Sequence, residues 1–323
     1  MESIGKKAVF SLGHFRRSIL GISPEEASFA RRGFRQHDEV ARQRLEHIGR
    51  VFLYGYHAAL EGESIEEVAI HLNKAEAEFR GFAFEGAAMG FALLDTLTPW
   101  RKGRLQTFLQ GAGAAHIYMG HVGAGWALAR LRWRAGSILS QLDNLLRWLA
   151  IDGYGFHEGY FHWSLYSKGQ EPPRWLSGYG RRVFDQGLGR SFWFAEGANV
   201  ARITSTITAF PRSRRADLWS GIGIACAYAG GCDEGALKAI RKSAAPYLAH
   251  LAQGVAFAAK ARQRAGNPTP HTDLACKTLC ALSADEAADL TSVALKDLPS
   301  DGELPAYEVW RDRIQRAFAT LEI

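Results

Sequence analysis

Phe84-Glu85-Gly86-Ala87 and Ala195-Glu196-Gly197-Ala198 open two similar runs of the chain. The first leads to Pro99, Arg104 and Gly111-Ala112-Gly113, with Tyr118 and Gly120 behind them. The second leads to Pro211, Arg215 and Gly221-Ile222-Gly223, with Tyr228 and Gly230 behind them. The Gly-x-Gly-x-x-x-x-Tyr-x-Gly spacing is the same in both, at an offset of about 110 residues, which predicts an internal duplication. Small residues at fixed positions let helix backbones approach closely, so helix pairs stacked face to face are expected. The fold class expected is all-α, a tetratricopeptide-like array of helical hairpins with an irregular period and an internal duplication.

Outward from these runs, helical signals dominate. Apolar residues recur at three and four, as in Val51, Tyr54, Ala58 and Ala59, or Leu142, Leu145, Leu146 and Leu149. Ser23-Pro24-Glu25-Glu26 and Ser283-Ala284-Asp285-Glu286 both have the form of a capping box. Only Ile203 to Thr208 is β-branched enough to suggest a strand, and its repeat partner looks helical. Lys168-Gly169-Gln170-Glu171-Pro172-Pro173 is the clearest break. The expected organisation is an N-terminal extension over 1–48, helical halves over 49–167 and 168–266, and an appendage over 267–323.

Hydrophobic residues make up 47% of the 323 positions and charged residues 22%, the composition of a globular chain that can bury a core. The formal charge of +6 is scattered in short groups such as Arg31-Arg32, Arg101-Lys102-Arg104, Arg130-Arg132-Arg134 and Arg212-Arg214-Arg215. No recognition motif accompanies it, so nucleic-acid binding is not expected. Four cysteines make no disulfide framework and no metal-spaced set. Ala8-Val9-Phe10 is too soon interrupted by His14, Arg16 and Arg17 to be a secretory leader, and a cytoplasmic protein is expected. Leu105 to Ala129 lacks Asp, Glu, Lys and Arg over a span long enough to cross a bilayer. Its glutamines, histidines, glycines and alanines suit a buried helix pair better.

The candidate chemistry centres on three Glu-Gly pairs: Glu85, Glu158 and Glu196 lie among Phe82, Phe84, Phe156, Phe161, Trp193 and other aromatics. A carboxylate buried there is either paired or neutralised with a raised pKa, which suits a general acid or base. The alternative role for each is structural, holding a neighbouring repeat or a helix start. Asp152, His157, Glu158 and His162 form the densest titratable cluster, with Glu158 and His162 on one face of a helix. His157 and His162 are five apart and do not make a zinc-protease pair, and His116, His121 and Asp185 are the conceivable further donors. No P-loop, dinucleotide fingerprint or nucleophile elbow is present, so neither a metal nor a cofactor is expected.

The glycine-rich cores resemble a bacterial domain-of-unknown-function family, the UnbL-type proteins of enediyne natural-product clusters. The stretches that carry the likeness are 84–90 (FEGAAMG), 120–127 (GHVGAGWA), 152–161 (DGYGFHEGYF), 184–191 (FDQGLGRS), 195–198 (AEGA) and 217–221 (DLWSG). The resemblance runs from about Gly49 to Gly231. It implies a place in antibiotic biosynthesis beside the iterative enediyne polyketide synthase, with UnbV-type and UnbU-type proteins as partners. It carries no settled catalytic residues.

Together these expectations give an accessory protein or enzyme subunit that acts on a linear polyene or polyyne. Glu158, His157 and Asp152 would be catalytic, and Glu85, Glu196, Tyr154, Phe156, Phe161, Trp193 and Arg190 would hold the substrate. The alternative is a non-catalytic scaffold or chaperone for the same intermediate and partners, and self-association stays open.

Overall fold

The computed structural model describes residues 12–98, 100, 103–176 and 178–321. Pro99, Arg101-Lys102 and Ala8-Val9-Phe10 lie outside the described residues. In chain order, α1 (Leu12–Leu20) and α2 (Phe29–Arg32) lead into pairs of one longer and one shorter helix. The pairs are α3 (Glu39–Glu61) with α4 (Ile65–Leu72), α5 (Arg80–Leu97) with α6 (Arg104–Gln110), and α7 (Ile117–Arg130) with α8 (Ala135–Leu139). They continue as α9 (Arg147–Phe161) with α10 (Trp163–Tyr166), α11 (Tyr179–Ala195) with α12 (Val200–Thr208), α13 (Arg212–Ala229) with α14 (Glu234–Ser243), and α15 (Leu248–Ala265) with α16 (Pro270–Cys280). Helices α17 (Ala284–Ala294) and α18 (Ala306–Thr320) cover the end. There is no strand among the described residues, and the all-helical array is as expected. Ile203 to Thr208 is helical, within α12.

Glycine inside a helix is destabilising by about 1 kcal/mol relative to alanine, so glycines this frequent must be offset by packing. Each junction between consecutive long helices supplies that offset. A Cβ on Gly86 would overlap the Phe52 carbonyl oxygen, one on Gly153 the Val122 oxygen, and one on Gly187 the Asp152 oxygen. A Cβ on Gly221 would overlap the Gln186 oxygen, and one on Gly254 the Ser220 oxygen. The contacts run the other way too, with Gly125 on Ala150, Gly155 on Phe184, Gly189 on Leu218 and Gly223 on Leu251. The motif Gly-x-Gly therefore holds one glycine against the preceding long helix and the other against the following one.

This fixes the repeat unit. Gly153, Gly187 and Gly221 are 34 residues apart and Gly254 follows after 33, so the repetition is one long helix plus its connector. The motifs paired across about 110 residues do not share a structural position. Gly111-Ala112-Gly113 lies in the turn after α6, whereas Gly221-Ile222-Gly223 is in the middle of α13. Glu85 is central in α5, whereas Glu196 follows the last residue of α11 and Gly197 there has φ +61°. The Lys168–Pro173 break falls between α10 and α11, and the long helices on either side of it, α9 and α11, pack together through Gly155 and Gly187.

Capping follows the local sequence. Ser283 and Glu286 make the reciprocal capping box of α17. Ser23 instead caps a single 3₁₀ turn, Pro24–Ala27, because Glu26 turns away to Arg31 and Arg32. Leu105 to Ala129 divides into α6, a 3₁₀ turn at Ala114–His116, and α7. No helix among the described residues is long and apolar enough to cross a membrane.

The far end of the array returns to its beginning. Arg262 Nη1 donates to the Glu78 carbonyl (2.6 Å), Asn267 Nδ2 to the Ala77 carbonyl (3.0 Å), and the Arg35 amide to the Ala195 carbonyl (2.8 Å). The long helices thereby curl around a shared interior.

Candidate functional site

That interior holds a channel of about 1150 Å³, including the open space at its mouth. Every long helix contributes to its wall, through residues such as Phe52, Phe82, Val122, Phe156, Phe194 and Tyr228. On α9 the facing residues are Leu149, Asp152, Phe156 and Tyr160, a stripe at helical spacing. Trp126 is the hub of the aromatic wall. Its ring lies 4.4 Å from Phe52, 5.4 Å from Phe156 and 6.0 Å from Tyr160, centroid to centroid.

Among these apolar residues sit three buried charged side chains, Glu85, Asp152 and Arg190. Arg190 Nη1 pairs with Asp152 Oδ1, and the guanidinium carbon lies 4.9 Å over the Phe156 ring. Trp126 Nε1 donates to Glu85 Oε1 at 3.1 Å. Burial raises the Glu85 pKa to about 7; the Arg190 charge and the indole hydrogen bond only partly oppose it, and Asp152 adds to the rise. Near neutral pH this carboxyl is poised between its two states, as a proton carrier requires. Tyr228 adds a polar handle: its buried hydroxyl has no hydrogen-bond partner among the described residues.

A ladder of polar side chains backs the cluster. Gln186 Nε2 donates to Asp152 Oδ2 (2.8 Å), and Ser220 Oγ reaches Gln186 Oε1 (3.1 Å) and Gln253 Oε1 (3.0 Å). Arg311 Nε then donates to the same Gln253 oxygen (3.1 Å) and its Nη2 to Asp217 (2.7 Å). Asp152, Gln186, Ser220 and Gln253 each precede the glycine that contacts the previous long helix, and so does Glu85. Five of the six long helices from α5 to α15 thus place a polar side chain at this inward position, with Val122 standing there in α7, and each of the five bonds to a neighbouring side chain.

The residues singled out from sequence divide between two sides of the wall. Asp152, Glu85, Arg190, Phe156 and Phe161 line the channel. Tyr154 and Glu158 lie on the reverse face of α9, since they are two and six residues from Asp152 at 100° per residue. Asp152 therefore does not join His157 and Glu158 in one cluster. Glu158 is held by His157 Nδ1 (3.3 Å) and the Tyr166 hydroxyl (3.5 Å), while Tyr154 packs on Trp175 and Phe184. The His157 ring meets Trp126 edge-on, and its desolvation lowers its pKa and keeps it neutral. His162 is the exposed C-cap of α9, its amide bonded to the Glu158 carbonyl one turn back (2.8 Å).

Trp193 is fully buried and donates to the Gly230 carbonyl (2.9 Å), away from the channel. Glu196 is equally buried and accepts from Thr206 (2.9 Å) and Arg35 (3.4 Å), which is the structural role its alternative predicted. His116 packs against Phe84, His121 Nδ1 donates to the Ile117 carbonyl, and Asp185 takes both arms of Arg214. Among the described residues no three His, Cys, Asp or Glu side chains converge as metal ligands.

Residues 11–318 match the family model described as "Protein of unknown function (DUF1702)". The chain belongs to this family. No curated protein and no solved structure matches the DUF1702 chain. The family match spans all of the channel's lining residues, from Ile22 to Trp310 of α18.

Proposed function

We propose that the protein encloses an elongated apolar molecule, a linear polyene or polyyne, in the channel and presents one part of it to Glu85, Asp152 and Arg190. The observation that carries this reading is the combination of an aromatic-walled channel with a single cluster of buried charge inside it. Apolar walls with a few convergent polar groups are the usual form of a small-molecule site. Conjugated chains are flat and stiff, and stack well on Trp126, Phe156 and Tyr160. The Arg190 guanidinium is held by its pairing with Asp152, whereas Glu85 exchanges a proton near neutral pH. Glu85 is thus the group that gives a proton to the bound chain or takes one from it.

The resemblance to UnbL-type proteins supports enediyne biosynthesis as the setting, with the nascent polyene of the enediyne polyketide synthase as the cargo. UnbV-type and UnbU-type proteins are then the partners, and the cytoplasm the compartment. The chaperone alternative uses the same channel without proton transfer, and Glu85→Gln separates the two. That change abolishes product in an enzyme subunit and leaves product intact in a chaperone.

The channel itself is tested with a conjugated tetraene fatty acid, whose fluorescence rises in an apolar site. Ala225, on the α13 wall, is replaced by Trp to fill the space. Binding to the wild-type chain, weakened by at least about tenfold in Ala225→Trp at unchanged helicity, is the expected result. Equal binding by a folded Ala225→Trp variant rules the channel out as the site.

A further inference from the structure

Helix α1 turns an apolar stripe outward. Leu12, Phe15 and Ile19 are 60%, 57% and 62% exposed, and their spacing of three and four puts them on one side of the helix. The opposite side rests on α3, where Gly13 meets the Glu61 backbone and Arg17 pairs with Glu61 at 2.9 Å. At the end of α1, the Leu20 carbonyl accepts from Arg130 Nη1 (3.2 Å) of α7. That bond brings the Arg132-Trp133-Arg134 turn to the same corner. All three of its side chains are exposed, Trp133 by 70%, with the Arg134 guanidinium 4.7 Å over the indole. Neither residues 12–20 nor residues 130–134 contain an aspartate or glutamate.

We propose that this corner docks on an anionic lipid surface, with Leu12, Phe15, Ile19 and Trp133 in the headgroup boundary and Arg132 and Arg134 on the lipid phosphates. A helix with one apolar and one basic side lies in the membrane plane, and tryptophan favours the same depth. Arginines near an anionic leaflet are attracted to it, and the attraction falls with salt. A second copy fits less well, because a two-fold contact would set the arginines of one copy against those of the other. Ile22, two residues beyond α1, lines the channel. Docking therefore brings the channel beside the bilayer, a reservoir for apolar cargo, although the docking itself does not depend on what the channel binds.

The test is co-sedimentation of the full chain with vesicles of phosphatidylcholine alone or mixed with phosphatidylglycerol. Sedimentation with the mixed vesicles, weaker with phosphatidylcholine alone and reduced by added salt, is expected. Phe15→Ser with Ile19→Ser should abolish it, and Arg132→Glu with Arg134→Glu should weaken it by about tenfold or more. These side chains are exposed, so unchanged circular dichroism is the control for folding. Failure to sediment with either vesicle overturns the proposal, as does equal sedimentation by wild type and both variants. Self-association that Phe15→Ser with Ile19→Ser abolishes, without any vesicle binding, also overturns it and assigns the face to a second copy.

Discussion

Glu85-Gly86-Ala87 and Glu196-Gly197-Ala198 are identical in sequence and both glutamates are buried, yet one faces the channel and the other braces a turn. Glu85 sits mid-helix, with an indole on one oxygen and no cation in direct contact. Glu196 sits just past a helix end, where the reversing chain supplies Thr206 and the segment after α2 supplies Arg35. The two glycines differ likewise. Gly86 permits the backbones of α3 and α5 to touch, whereas Gly197 permits a left-handed turn. The same tripeptide thus marks a titratable site in one place and a structural clasp in the other, and the backbone around it decides which.

The strongest way to break this comparison is to add a methyl group. Gly86→Ala forces α3 and α5 apart at the Phe52 carbonyl and should lose more than about 3 kcal/mol in denaturant unfolding. Gly136→Ala, in α8 with nothing near its would-be Cβ, should instead gain about 0.5–1 kcal/mol. A Gly86→Ala variant as stable as wild type would remove the close-packed junction from the account.

The two glutamates themselves give smaller effects. The folded pKa of Glu85 is raised to about 7 from an ordinary value of 4.5. The stability it contributes is therefore fully present below about pH 4.5 and is lost as pH rises through 7. The loss amounts to about 3 kcal/mol at most, and Glu85→Gln should abolish that part of the pH dependence and be the more stable protein at pH 8. Glu196→Gln should cost about 1 kcal/mol at neutral pH and leave polyene binding unchanged. Unfolding followed from pH 5 to pH 8 distinguishes them. Parallel curves for wild type and Glu85→Gln would mean that Glu85 is not held near neutrality.

Much of this was legible in the amino-acid sequence, and what was not has a physical cause. Helical periodicity is a property of neighbouring residues, so the all-α array could be read directly, whereas of Leu105 to Ala129 it is mainly the α7 part that is buried, and α6 exposes Gln106, Thr107 and Gln110. Glu85, Asp152, Arg190, Phe156 and Phe161 were accessible because charge among aromatics is unusual. The repeat unit was harder to see, since only two positions per repeat are constrained and the short connectors vary in length. The polar residue before the back-facing glycine of α9, α11, α13 and α15, which is Asp152, Gln186, Ser220 and Gln253, is the signal that would have shown the spacing of 34, 34 and 33 residues. Trp126, Tyr160 and Tyr228 were passed over because nothing local distinguishes an aromatic at a channel from one in a core. The misplaced Glu158 and His157 came from treating neighbours in sequence as neighbours in space, on a helix whose two faces look in opposite directions.

The central claim is that a conjugated chain lies inside the curled array next to Glu85. A crystal structure of the chain soaked with a conjugated tetraene tests it most directly. Density running along Phe82, Trp126 and Phe156, with one end within hydrogen-bond distance of the Glu85 carboxyl, is the predicted result. Density confined to the outer face of α9 around Glu158 and Tyr166, with the channel filled only by water, would contradict it.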